Sequence, residues 1–181
     1  MKKIILSIIS VIVLCIVLLI GTMVWVCKAN DTNNKDNPIC YGDTSNDKKA
    51  LIIYQNGRSS YNKDVAESIA NGLVDKGYYV TSNQPGDYLE KDLSKYDLVL
   101  FGSPVYASNI SSVLKEYVNS IDNYGKAKVI CYSVGNAPDN DELKKFNDLS
   151  NIKIDGSFKV SKRKFDSNKN IAMDEINKII Q

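Results

Sequence analysis

The hydrophobic pattern of this chain calls for an α/β architecture. It predicts a three-layer sandwich with a five-stranded parallel sheet between helices, preceded by one membrane-spanning helix. Three observations point there. Short unbroken apolar runs alternate, from residue 48 onward, with segments whose apolar residues recur at i, i+3 and i+4. Strands alternating with helices imply βαβ units and right-handed crossovers. Small polar turns follow the apolar runs, at the places where the ligand loops of such sheets lie. Residues 4–26 carry no charge at all.

Those 23 residues, Ile4 to Val26, are long enough at helical rise to cross the roughly 30 Å hydrocarbon core. Met1-Lys2-Lys3 precedes them, and Trp25 and Lys28 close the far end as interfacial anchors. A cleaved signal peptide is the rival reading. Its apolar core is shorter, about 7–15 residues, and ends in a small-x-small site. Cys27-Lys28-Ala29 is a poor version of that site, so an uncleaved anchor is the better reading. Lys2 and Lys3 favour an amino terminus inside and a domain outside the cytoplasm, although Lys28 and Lys35 reduce the asymmetry. Residues 27–47 are rich in Asn, Asp, Thr and Ser and read as a polar tether. The globular domain then runs from 48 to 181.

Within it, Ala50 to Tyr54 is a continuous apolar run, as expected of a strand covered on both faces. Val65, Ala66, Ile69, Ala70, Leu73 and Val74 mark one face of a helix, with Asp64 and Glu67 near its positive end. Lys76-Gly77 stops it. Tyr78 to Thr81 is the second strand, residues 87–95 are irregular, and Leu98 to Phe101 is the third strand. Ile110, Val113, Leu114, Tyr117, Val118 and Ile121 form the clearest amphipathic helix. Lys128 to Tyr132 is the fourth strand and Glu142 to Leu149 a short helix. Ile152 to Val160 is a weaker fifth strand, broken by Gly156, and Ile171, Ile176, Ile179 and Ile180 share a face of the last helix.

Composition removes several functions. The chain has no histidine, so a Ser-His-Asp triad and any His-ligated metal are excluded. A net charge of +2 is too mild to argue for nucleic acid. Cys15, Cys27, Cys40 and Cys131 form no C-x-x-C pair. A Cys40–Cys131 disulfide is open, without positive support.

The candidate chemistry lies in three loops. Gln55-Asn56-Gly57-Arg58-Ser59-Ser60-Tyr61-Asn62 leads straight into a helix N-terminus, whose unpartnered N–H groups bind phosphate. A polar capping turn is the plain alternative. Ser103-Pro104-Val105-Tyr106-Ala107-Ser108-Asn109 follows the third strand. Tyr106 offers an aromatic face to a flat ligand, or simply packs on a Pro-stiffened turn. Ser133-Val134-Gly135 follows the fourth strand, and Gly135 permits close approach of backbone to a ligand.

These loops carry a resemblance to the flavodoxin-like proteins. Ser103-Pro104-Val105-Tyr106 is similar to the family segment that edges the flavin ring. Ala107-Ser108-Asn109 stands where the family has small-Gly-Asn. Ser133-Val134-Gly135-Asn136 resembles the Ser-x-Gly-Gly of short flavodoxins. Ser59, Ser60, Tyr61 and Asn62 align with the Thr-Gly-Asn-Thr of the phosphate loop, with Ser60 in place of a glycine that tolerates left-handed backbone.

The resemblance implies a flavodoxin-like sandwich with strand order 2-1-3-4-5 and FMN as cofactor. Ser59, Ser60, Tyr61 and Asn62 would then surround the phosphate, with the other two loops around the ring. It also implies electron transfer, with a redox partner protein or a quinone-like substrate beside the membrane. No side chain reads as a general acid or base. A second reading, of another class, is a binding or scaffold module that keeps the fold without FMN. The changes at Ser60 and Tyr61 favour it. The basic run Lys159 to Lys164 is either a solvated edge or a contact for an anionic membrane face.

Overall fold

The computed structural model describes residues 2–180, apart from 32, 33, 58, 107, 137–139, 150 and 151, and only the backbone of 2 and 26–31. Its elements are α1 (Lys2–Asp31), β1 (Ile39–Tyr41), β2 (Lys48–Tyr54), α2 (Tyr61–Val74), β3 (Tyr78–Asn83) and β4 (Leu98–Pro104). They continue with α3 (Ser112–Asn119), β5 (Lys128–Val134), α4 (Asp141–Asn147), β6 (Gly156–Val160), α5 (Lys162–Ser167) and α6 (Ile171–Ile180).

Among the described residues the sheet has six strands in the order β1-β3-β2-β4-β5-β6. The five parallel strands follow the expected 2-1-3-4-5 arrangement. The sixth corrects the expected count. β1 pairs antiparallel with β3, Ile39 opposite Ser82 and Tyr41 opposite Val80. Three residues between Pro38 and Gly42 are too few to show a period of two. They become a strand only because β3 would otherwise offer an open edge.

Side chains alternate across the sheet, and both faces are dry. Ala50, Ile52 and Tyr54 of β2 face one core with Leu98, Leu100, Ile130 and Tyr132, covered by Val65, Ile69 and Leu73 of α2 and Ile176 of α6. Leu51 and Ile53 face the other core with Val99, Phe101, Val129 and Cys131, covered by Leu114 and Val118 of α3 and Phe146 of α4. The irregular segment before β4 lies over this second core. Leu93 is fully buried there, and its N–H donates to the Asn123 carbonyl at 2.7 Å.

The last strand is shorter than expected and begins at Gly156, where a Cβ would stand 2.6 Å from Ile179. Glycine thus starts this strand, by letting α6 lie on it. Residues 162–167 form a helix that the sequence pattern left as a charged edge. The Cys40–Cys131 disulfide is also corrected. Both thiols are free, with Cys40 exposed on β1 and Cys131 buried on β5, four strand positions away. Burial pushes the Cys131 thiol well up, so it behaves as a small apolar group.

α1 contains one segment, Lys3–Trp25, apolar and long enough to cross a membrane or serve as a signal sequence, with a mean hydropathy of 3.3.

Candidate cofactor-binding site

The loops after β2, β4 and β5 meet at the carboxyl ends of the strands, where ligands bind in sheets of this kind. The first is tied at both ends. The Gln55 N–H donates to the Gly102 carbonyl at 2.9 Å, and Asn62 Nδ2 donates to the Gln55 carbonyl at 2.7 Å. Asn62 is therefore a buried brace, and its Oδ1 has no partner among the described residues. A buried acceptor in this state calls for a donor, such as a ligand hydroxyl.

Ser59 and Ser60 are exposed. Ser60 has φ −65° and ψ −4°, ordinary right-handed backbone, so it carries none of the strain expected at a glycine position. Its hydroxyl donates to Asp64 at 3.1 Å and does not cap α2. Tyr61 turns away from the loop. Its hydroxyl donates to Asp166, its ring meets Phe165 edge-on at 6.0 Å, and Lys162 Nζ stands 4.9 Å from the ring centre. Loss of water and the Asp166 carboxylate push the Tyr61 hydroxyl up to about 12.

Ser103 and Pro104 belong to β4 rather than to the second loop, and Ser103 is fully buried. Its hydroxyl accepts from the Ser111 N–H at 2.8 Å and donates to the Pro104 carbonyl at 2.9 Å, so it braces the loop on the start of α3. Ser111 caps that helix through the Leu114 N–H at 3.2 Å. Tyr106 and Asn109 exchange backbone hydrogen bonds of 3.1 and 3.0 Å around a tight turn. Ala107 lies outside the described residues. Ser108 has φ +56°, the left-handed conformation that suits the glycine of the family pattern. Val105 donates its N–H to the Val134 carbonyl at 3.1 Å, which ties this loop to the third.

Two glycines set the spacing between loops. A Cβ on Gly57 would lie 2.9 Å from the Tyr106 hydroxyl and 3.4 Å from Pro104 Cβ. One on Gly135 would lie 3.0 Å from Val105 Cβ. The second loop is thus held between the other two. Beside it, a cleft of about 580 Å³ is bounded by Ser108, Asn109 and four polar residues of α4 and its end, Asp141, Lys144, Lys145 and Asp148.

Ser133 and Val134 belong to β5 and are buried. The Ser133 hydroxyl donates to Glu142 Oε1 at 3.0 Å, and Lys159 Nζ lies 2.7 Å from the same oxygen. Ser133 and Lys159 are neighbours across the β5–β6 ladder, and α4 lays Glu142 over them. Burial acts most strongly on Glu142 and raises its pKa. Hydrogen bonds from Lys159, its own backbone and Ser133, with the Lys159 charge, outweigh that and hold it below the ordinary carboxylate value. A buried pair offsets the cost of its desolvation best when its remaining polar atoms are also met, and Glu142 Oε2 has no partner among the described residues.

Sequence reasoning missed this network, and also the contact of Asn34 with Gln55. The Asn34 and Gln55 amides exchange hydrogen bonds of 2.8 and 2.9 Å, and Asn34 also donates to the Pro85 carbonyl. The i, i+4 spacing of Glu142 and Phe146 puts the carboxylate on the apolar face of α4, the one signal the sequence carries for the first. Nothing local marks the second, because its partners are 21 residues apart.

The residues present fit an anionic, hydroxyl-bearing ligand. α2 begins without a side-chain cap, two glycines keep the loops close, and a buried acceptor awaits a donor. A doubly wound parallel sheet with these three loops at its carboxyl edge defines the flavodoxin-like class.

A family model described as "Flavodoxin domain" matches residues 51–170, and the chain belongs to that family. A flavoprotein in complex with FMN from Lactobacillus acidophilus NCFM is similar at 15% identity, with a TM-score of 0.52, over 75% of this chain and 99% of that one. An archaeal flavodoxin is 15% identical over 74% of this chain and 99% of its own, with a TM-score of 0.46. An azoreductase from Bacillus anthracis str. Sterne is 12% identical over 73% and 96%, with a TM-score of 0.49. A search of the curated proteins returns no match.

Proposed function

We propose that this chain is an FMN-binding flavoprotein, held at a membrane by α1, that takes part in electron transfer. The observation that carries the reading is the convergence of the three loops around the uncapped start of α2, in a chain that belongs to the flavodoxin-domain family. The N–H groups at Ser59, Ser60 and Tyr61 would hold the phosphate, with the positive end of the α2 dipole behind them. Asn62 keeps that loop closed and offers its Oδ1 to a hydroxyl of the ribityl chain. Tyr106, Ser108 and Asn109 would form one wall for the ring, and Gly135 would let the third loop approach it. When bound, FMN supplies one- and two-electron transfer, and the protein sets its position and surroundings. The anchor reading places the domain outside the cytoplasm, single-pass, by the Lys2–Lys3 end.

One observation favours the rival scaffold reading. Asp64 stands in the first turn of α2 and takes the Ser60 hydroxyl, so a carboxylate already sits near the positive helix end. A titration of the full chain in detergent micelles with FMN separates the two. Saturable quenching of flavin fluorescence with a shifted visible spectrum is expected. No quenching by folded protein would leave the cofactor-free module.

A further inference from the structure

The antiparallel strand β1 decides which end of the sheet the chain leaving α1 reaches. β2 starts at the amino end of the sheet, so a tether running straight into it would leave the cofactor loops pointing away from the bilayer. β1 reverses that geometry. It enters the sheet beside Ser82, near the carboxyl end of β3, and runs back toward Val80. The residues before it are fastened over that same carboxyl end. Asn34 is bonded to Gln55 of the first loop and to Pro85, the Asn37 N–H donates to Asn83 Oδ1 at 3.2 Å, and Asn83 Nδ2 donates to Asp36 at 2.9 Å.

The tether length then sets the distance. α1 ends at Asp31, so three peptide steps, about 10 Å fully extended, reach Asn34. From Trp25, the last residue of the apolar span, to Asp31 the helix rises roughly 9 Å. Asn34, bonded to Gln55 of the first loop, is therefore held within roughly 20 Å of the end of the apolar span. The opposite ends of the strands lie about 20 Å farther along the sheet.

Charge on the same end agrees. Lys162, Arg163 and Lys164 are exposed on α5, which follows the carboxyl end of β6. Lys162 stands over Tyr61 at the start of α2, and Lys145 is exposed on α4. Acids share this end: Asp166 is engaged by Tyr61 and by Lys169 at 3.4 Å, Asp141 by Lys144 at 2.7 Å, Asp36 by Asn83 and Asp64 by the Ser60 hydroxyl, and Asp148 lies beside Lys145, so the cations of α5 are the ones in excess. Clustered cations next to an anchor are drawn to anionic lipid.

We infer that the carboxyl end of the sheet, with its three cofactor loops and the α5 cations, docks on an anionic lipid surface. This rests on the proposed membrane-held flavoprotein and deepens it. The reactant that reaches the site does so along the headgroup plane, which selects lipid-soluble redox compounds over soluble carrier proteins.

The test uses the full chain in nanodiscs of phosphatidylglycerol carrying an acceptor dye on a fraction of headgroups. A donor dye is placed at Asn140→Cys, on the cofactor end, or at Lys126→Cys, on the opposite end, in a background with Cys15, Cys27 and Cys40 changed to Ser. Both labelled positions are exposed, and Cys131 is buried. Energy transfer to the headgroups is expected to be at least twofold stronger from 140 than from 126. Equal or reversed transfer, or failure of the chain to enter the discs, would overturn the inference. FMN binding is scored in the same discs. Reversed transfer with FMN bound sinks the docking and spares the flavoprotein reading; retained order without FMN does the opposite.

Discussion

At the scale of single residues, two serines stand where the family pattern has glycine, and the backbone separates them. Ser108 holds φ +56°, whereas Ser60 is ordinary right-handed backbone. Ser108→Gly is expected to stabilise the protein by about 0.5–1 kcal/mol, since the left-handed penalty of an L-residue exceeds the added chain entropy. Thermal unfolding should then rise by about 2–4 °C. Ser60→Gly has no strain to relieve. It should leave the FMN dissociation constant within about threefold and cost roughly 0.5 kcal/mol of stability as helix-start entropy. A tenfold gain in affinity would contradict that assignment. From sequence the two positions look alike, because φ is set by which carbonyls the loop must reach. Ser103 and Ser133 show the same limit: their placement near the site was legible, but their hydroxyls are spent inside the protein.

Among the elements, those with a long apolar period were readable: β2, β4 and β5 as buried runs, α2 and α3 by their i, i+3, i+4 stripes. What escaped was fixed by partners distant in sequence. β1 depends on the edge of β3, and α5 on Phe165 reaching the core. Lys159 was read as surface because it sits in a basic run, yet α4 buries it against Glu142. Lys159→Met should therefore cost about 3–5 kcal/mol at neutral pH, the usual result of stranding one buried charge.

The pH dependence gives that loss a sign. Glu142 is held below its ordinary value of 4.5, so its contribution is present above that pH and is lost as pH falls through the folded value. In Lys159→Met the carboxyl is raised instead by burial, and acid relieves it. Urea unfolding at pH 7 and pH 4 should show the gap between variant and parent narrowing in acid. A gap that widens would mean that Lys159 does not hold Glu142 ionised.

For the whole molecule, the boundary between α1 and the domain is the informative feature. The segment 34–41, which the sequence presents as polar tether, is bonded to the domain at both β3 and Gln55. A chain starting at Lys48 should be less stable than one starting at Asn34 by roughly 2–4 kcal/mol, given about 1 kcal/mol for each lost hydrogen bond. The bared edge of β3 should also make the shorter chain associate, which light scattering would detect.

The position of β1 bears on time as well as space. The ribosome delivers Ile39–Tyr41 some forty residues before the β3 segment it pairs with. Until β3 has settled on β2, that triplet waits as unstructured chain, and the brace on Gln55 waits with it. β1 thus cannot close before β3 has, and as a three-residue strand on the sheet edge it should open more readily than the centre, so its amides should exchange faster than those of β2. With α1 as the proposed anchor, a nascent chain would be held at the bilayer before Asn34 can brace Gln55.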